Sequence, residues 1–132
     1  MKIKETTIRT YNASIIMGLK EGYSELNINK RDVILYLQKY QNTLIKEDSI
    51  YLSACISDCN IVLSGQSEPH IKISFINYPK FPLTEKILEN KIINLAKALI
   101  AKFKQNRIVV QLNNKTIMLE RTDNIDNSII KN

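Results

Sequence analysis

The sequence has few of the residues from which most recognisable catalytic and metal sites are built. Its 132 residues include no tryptophan, one histidine (His70) and two cysteines, Cys55 and Cys59. A lone histidine excludes a histidine-rich metal site, and two thiols fall short of the four ligands of a structural zinc site. Their spacing puts both cysteines on one face of a strand, too far apart for a disulfide. They are therefore predicted to be buried, inert thiols, and no metal or other cofactor is expected.

Sequence motifs for catalysis are also missing. The chain has no glycine-rich phosphate loop and no nucleophile elbow. His70 follows Pro69 at the start of a predicted strand, where a structural or solvated role is expected. The sequence therefore predicts a protein that is not an enzyme. The opposing hypothesis, a small enzyme centred on His70 or Cys55, lacks a second catalytic group beside either residue.

Targeting signals and long apolar runs are absent as well. The first residues, MKIKE, are too polar for the apolar part of a signal peptide. No apolar run approaches the ~18 residues that a membrane-spanning helix needs. We therefore expect a cytoplasmic protein with no membrane partner.

Glycine and proline are sparse, with three of each, so the periodic segments are easy to delimit. Alternation and 3.6-residue spacing predict strands at residues 13–19, 49–57, 60–63, 70–77, 107–112 and 116–119, and helices at residues 29–44 and 85–104. A bend or bulge is expected near Asp58, and a turn at residues 65–69. This order is that of a ferredoxin-like α+β fold, an antiparallel sheet with two helices on one face, plus a short extra strand. Residues 1–121 are predicted to form one domain and residues 122–132 a polar tail.

Positive charge is concentrated in the second half of the chain. The net charge is +6, and residues 71–119 hold nine lysines or arginines but only two acids. Such a basic region attracts anions, although lysines also serve simply to keep a helix solvated. The predicted ligand-binding residues combine these cations with nearby aromatic rings; they are Tyr78, Lys80, Phe81, Lys86, Lys97, Lys104 and Arg107. Lys86, Lys97 and Lys104 form a row along the second helix, while Tyr78 and Phe81 would stack a base.

Three segments together resemble small phage and prophage proteins of low-GC bacteria. They are SIIMGLKEGYSE at residues 14–25, FINYPKFP at residues 75–82, and KQNRIVVQL at residues 104–112. The resemblance spans most of residues 14–119 and implies a viral or mobile-element context in a host cell. It brings no catalytic residues with it.

These observations lead to a hypothesis of a phage-encoded, non-enzymatic binding protein that counters host defence by sequestering an anionic nucleotide. One alternative is a protein–protein inhibitor of a host defence factor with an acidic surface, comparable to anti-CRISPR proteins. A second is a small nucleic-acid-binding protein. A homo-oligomer, in particular a homodimer formed through the sheet or its edges, is expected in each case.

Overall fold

The computed structural model describes residues 1–22, 24 and 26–122, and every structural statement below refers to these residues. The elements are β1 (Ala13–Gly18), α1 (Lys30–Asp48), β2 (Ser53–Leu63), β3 (Gln66–Ile76), α2 (Glu85–Lys102), β4 (Arg107–Gln111) and β5 (Thr116–Glu120). The strands form one sheet in the order β2-β3-β1-β4-β5, and each neighbouring pair is antiparallel. The predicted α+β arrangement and the extra strand are thus confirmed. Most of the predicted tail, from residue 123 onward, lies outside the described residues.

Both helices begin at side-chain caps that the sequence supplies. The Asn29 side chain accepts a hydrogen bond from the backbone N–H of Arg31 at 2.8 Å, and Thr84 Oγ1 accepts one from Ile87 N–H at 3.2 Å. Such caps satisfy backbone donors that the first turn of a helix leaves without partners. α1 runs four residues beyond its predicted end, to Asp48, and stops where Ser49 adopts a φ of 55°.

The core lies between the sheet and the two helices. Ile15 and Met17 of β1, Ile71 and Ile73 of β3, and Val110 of β4 have no exposed surface. They belong to one buried cluster that also takes in the apolar faces of α1 and α2. Because side chains alternate along a strand, this packing on one face leaves the other free of any helix that the structure describes. We call that second surface the open face. None of the described helices is long and apolar enough to cross a membrane.

The β2–β3 hairpin differs from the prediction in two ways. β2 runs unbroken through Asp58, which pairs with Ile71 in step with its neighbours, so the expected bend is absent. The turn consists only of Ser64 and Gly65, whose φ angles are 40° and 84°. Two successive positive φ values match the twist of the flanking strands, so a two-residue turn suffices. The strand β3 can therefore begin before Pro69, which the sequence had placed in the turn.

The cysteines also depart from the prediction of buried thiols. Cys55 is exposed and Cys59 is partly exposed. Both lie on the open face, because they pair with Ser74 and His70 of β3, whose even-numbered residues point away from the helices. Strand alternation places both cysteines on the same side of the sheet, which is the side that α1 and α2 do not cover.

Candidate functional site

The aromatic residues of the predicted site form a cluster just beyond the end of β3. The Phe81 ring stacks on Tyr51 with centroids 4.2 Å apart, and Tyr78 lies 6.4 Å from Phe81. Lys80 Nζ lies 5.6 Å from the centre of the Phe81 ring. One face of Phe81 is thus covered by Tyr51, so a base would have to stack on the outer surface of the cluster.

Apart from Lys80, the cations of the predicted site do not gather around these rings. Lys86 and Lys97 are exposed on α2, whereas Lys104 lies beyond the helix end and has a φ of 51°. Arg107 begins β4 at the opposite end of the sheet and forms an ion pair with Glu120 at 3.6 Å. Because α2 alone spans about 27 Å at 1.5 Å per residue, the predicted residues occupy two separate regions. Whether either region binds a ligand stays a prediction.

A groove of about 580 Å³ lies at the end of the sheet where β1 finishes. Three segments meet there: the loop after β1, one face of α1 and the last turn of α2. The residues that line it are Glu21, Asn27, Ile28, Asn29, Asp32, Leu35, Tyr36, Lys39, Lys102 and Phe103. Its volume falls within the range of small-molecule sites, about 300–1,000 Å³. We call it the α1–α2 groove.

Helix α1 gives the groove its ordered row of side chains. Asp32, Leu35, Tyr36 and Lys39 are spaced by three or four residues and therefore share one face of the helix. The Tyr36 ring meets the edge of the buried Phe103 ring at a centroid distance of 5.8 Å. Phe103 caps the end of α2 through its backbone N–H, which donates to Leu99 O. The ring of Tyr36 is thereby held half-buried at the wall of the groove.

The loop after β1 is fixed to the rest of the fold. Ile28 N–H donates to Leu19 O at 2.8 Å, and Glu21 N–H donates to Leu26 O at 3.0 Å. The buried side chain of Gln105 crosses from the α2–β4 connection and donates through Nε2 to Lys20 O at 2.9 Å. These bonds hold the Glu21 side of the groove against α2. The groove is therefore formed by the tertiary structure and by no single segment.

The groove contains both signs of charge around an aromatic ring. Glu21 and Asp32 supply carboxylates, and Lys39 and Lys102 supply ammonium groups. Among the described residues, one of these four groups forms an ion pair: Glu21 Oε1 lies 4.0 Å from Lys104 Nζ. Asp32, Lys39 and Lys102 are therefore available to a ligand. This combination suits a zwitterionic or cationic molecule with a flat ring system better than it suits a polyanion.

None of the residues that line the groove was among the predicted ligand-binding residues. The polar row Asp32–Tyr36–Lys39 was a detectable signal, because its spacing places it on one helix face. What the sequence could not show is that this face borders Phe103 and the loop that carries Glu21.

Comparison with known proteins finds a similarity in fold but no match in sequence. No protein-family model matches the chain. No curated protein matches it either. A solved structure of a phage SAM lyase in complex with S-methyl-5'-thioadenosine is similar, with a TM-score of 0.64 and 19% identity over 92% of this chain and 97% of that one. A phage SAM lyase in the apo state gives a TM-score of 0.67 and 19% identity, over 95% of this chain and 100% of the other. At this identity the likeness establishes the fold.

These findings correct two predictions and support a third. The similar structures are those of an enzyme, which overturns both the prediction of a non-enzymatic protein and that of a nucleotide-sequestering binder. Both similar structures are phage proteins, so the resemblance to phage proteins inferred from the sequence is supported. The error arose because the absence of a familiar catalytic motif was taken as the absence of catalysis.

Proposed function

We propose that this protein is a lyase that cleaves S-adenosylmethionine (SAM) and releases S-methyl-5'-thioadenosine. The observation that carries the proposal is the match in fold, which extends over almost the full length of this chain and of the phage SAM lyases. In one of those structures the bound molecule, S-methyl-5'-thioadenosine, is the sulfur-containing part of SAM. A fold can host many activities, so the site has to supply the chemistry.

The α1–α2 groove offers groups that are complementary to SAM. SAM carries a sulfonium, an ammonium, a carboxylate and a flat adenine ring. Asp32 and Glu21 would attract the two cations, Tyr36 would pack against the adenine, and Lys39 with Lys102 would hold the carboxylate. Aromatic faces and carboxylates both stabilise organic cations. The predicted basic surface, in contrast, has the wrong sign for a ligand with a net positive charge.

The reaction balances without a catalytic acid or base. Release of S-methyl-5'-thioadenosine breaks the bond between sulfur and the γ-carbon, and sulfur keeps the electron pair. A lyase adds no water, so the γ-carbon bonds to an oxygen of the substrate's own carboxylate and closes a five-membered lactone. The carboxylate loses its negative charge as the sulfonium loses its positive charge, and no proton moves. Loss of a β-proton to give an alkene would, in contrast, need a base to accept it.

The task left to the protein is to hold the substrate in a folded conformation. An attacking oxygen held about 3–3.5 Å from the carbon and in line with the breaking bond gains most of its advantage from orientation. Lys39 and Lys102, which both line the groove, would hold the carboxylate end of the molecule, and Tyr36 would hold the adenine end. Such a site needs neither a histidine nor a cysteine, which is consistent with the composition of this chain.

In an infected cell, the proposed activity would counter host defence by removing a metabolite. Enzymes that use SAM as a methyl donor or as a required cofactor would lose it. This role keeps the anti-defence setting of the sequence-based hypothesis but replaces sequestration with turnover.

The direct test is incubation of the purified protein with SAM, followed by liquid chromatography with mass spectrometry. We expect S-methyl-5'-thioadenosine to accumulate well beyond one equivalent of protein, and proton NMR to show a lactone without vinyl protons. Lys102→Met should lower kcat/KM about tenfold or more, since it removes a charge-assisted bond. Lys97→Met, an equal charge change on the same helix outside the groove, is the matched control. No product above a protein-free blank would refute the activity, and equal effects of the two variants would refute the site.

A further inference from the structure

The open face of the sheet holds a second pocket, separate from the α1–α2 groove. Its volume is about 280 Å³, and its polar lining comprises Asn12, Ser14, Lys72, Ser74 and Gln111. The groove lies among the helices, whereas this pocket lies on the surface that the helices leave uncovered. The two sites therefore have different neighbours and different chemistry.

Lys72 lies on this face and forms no ion pair with any residue that the structure describes. It lies on β3, between Ile16 of β1 and Ser57 of β2, and is half-buried. Among the described residues, no carboxylate oxygen lies within 4 Å of the Lys72 ammonium group. The carboxylate of Asp58 pairs instead with Lys30. An ammonium group without a carboxylate partner offers an anion a charge-assisted hydrogen bond.

Hydroxyl and amide groups surround the position that an anion would take. Ser14 pairs with Ser74 on one side and with Gln111 on the other, so the three side chains form a row next to Lys72. Ser14 is 5% exposed, and its hydroxyl is 3.4 Å from Gln111 Oε1, which is long for a hydrogen bond between oxygens. Both serine hydroxyls and the Gln111 amide N–H groups can therefore turn toward a ligand.

A purely structural role for Lys72 would be to cover Ile16 with its methylene stem. That role explains the position of the lysine but assigns no part to the hydroxyl groups beside it. A carboxylate offers two oxygens, whereas a phosphate group offers three that can meet a lysine and several hydroxyls at once. We propose that this pocket binds the phosphate group of a small molecule, with Lys72 as the charge and Ser14, Ser74 and Gln111 as donors. The proposal is independent of the SAM-cleaving activity.

The test is a titration of the full-length protein with inorganic phosphate, followed by proton–nitrogen NMR at constant ionic strength. Shifts should be confined to β1, β3 and β4 around the pocket, and Lys72→Met should raise Kd about tenfold or more. Ser14→Ala should weaken binding less, and Lys46→Met, at an exposed position of α1 outside the pocket, should leave it unchanged. Because Met has the length of the lysine stem, the cover over Ile16 is kept.

Comparison of anions separates the possible outcomes. Ribose 5-phosphate and inorganic phosphate distinguish an organic phosphate from the free ion, and preferential binding of either supports the proposal. Acetate binding as tightly as phosphate would identify a carboxylate site and overturn it. If chloride produces the same shifts, or if Lys72→Met and Lys46→Met have equal effects, the binding is general charge screening and the proposal is overturned.

Discussion

Replacing Asp32 with asparagine tests the groove most directly, because the change removes a charge and keeps the shape of the side chain. Asp32 lies in the first turn of α1 and lines the groove beside Tyr36. Its carboxylate interacts with the helix dipole, which contributes roughly 0.3–1 kcal/mol at an exposed N-terminus. The stability loss in Asp32→Asn should therefore be small, amounting to a few degrees in Tm.

The expected effect on substrate is larger than the effect on stability. A charge-assisted hydrogen bond contributes about 1.5–3 kcal/mol. Since 1.4 kcal/mol is a factor of ten, kcat/KM for SAM should fall by roughly ten- to a hundredfold. S-methyl-5'-thioadenosine lacks both the sulfonium charge and the ammonium group, so its inhibition constant should change much less. This difference separates lost charge recognition from a general disturbance of the groove.

The assay is the initial rate of S-methyl-5'-thioadenosine release over a range of SAM concentrations, with Tm measured on the same preparations. Glu47→Gln provides the control, because Glu47 is an exposed acid on the same helix and lies outside the groove. If Asp32→Asn keeps kcat/KM within twofold of the wild type, the assignment of the substrate cation to Asp32 is wrong. An equal loss in Glu47→Gln would point to the net charge of the protein and would also contradict it.

Two further predictions concern stability. Ile15→Ala, at a fully buried position of the central strand β1, should lower the free energy of unfolding by about 2–5 kcal/mol in urea denaturation; a loss below 1 kcal/mol would contradict the tight packing there. Burial, and to a lesser degree the neighbouring Tyr36, raises the pKa of Tyr40 above its ordinary value of 10.0, so the folded state favours the neutral phenol. The contribution of Tyr40 to the free energy of unfolding is fully present below pH 10 and is lost as the pH rises through its folded-state pKa. Tyr40→Phe should therefore lose less stability than the wild type above pH 10, and an identical decline would show that Tyr40 plays no part.

Much of the fold could be predicted from the sequence because it depends on local patterns. Alternating residues such as Ile71, Ile73 and Phe75 mark a strand with one buried face, and Thr84 marks the start of a helix. The order of the elements then left few arrangements of the sheet. The failures were at boundaries, as at Lys104, which the helical pattern included but whose positive φ places it beyond the helix.

The candidate site could not be predicted in the same way. Tyr36, Lys39 and Lys102 are ordinary surface residues for their helices, and their importance depends on what lies opposite. The sequence pointed to Tyr78 and Lys80 because aromatic residues close to cations in the chain are easy to detect. The prediction of a homo-oligomer also remains a prediction.

The sequence by itself determined the alternating apolar faces of the strands, the apolar faces of the helices and the basic second half, because each of these follows from neighbours within a few positions. Only the tertiary structure decided that the loop after β1, the start of α1 and the end of α2 would enclose a groove, and that Lys72 would stand among hydroxyl groups on the uncovered side of the sheet. Both arrangements join residues distant in the chain. Their proximity results from the packing of the whole core, which no local pattern encodes.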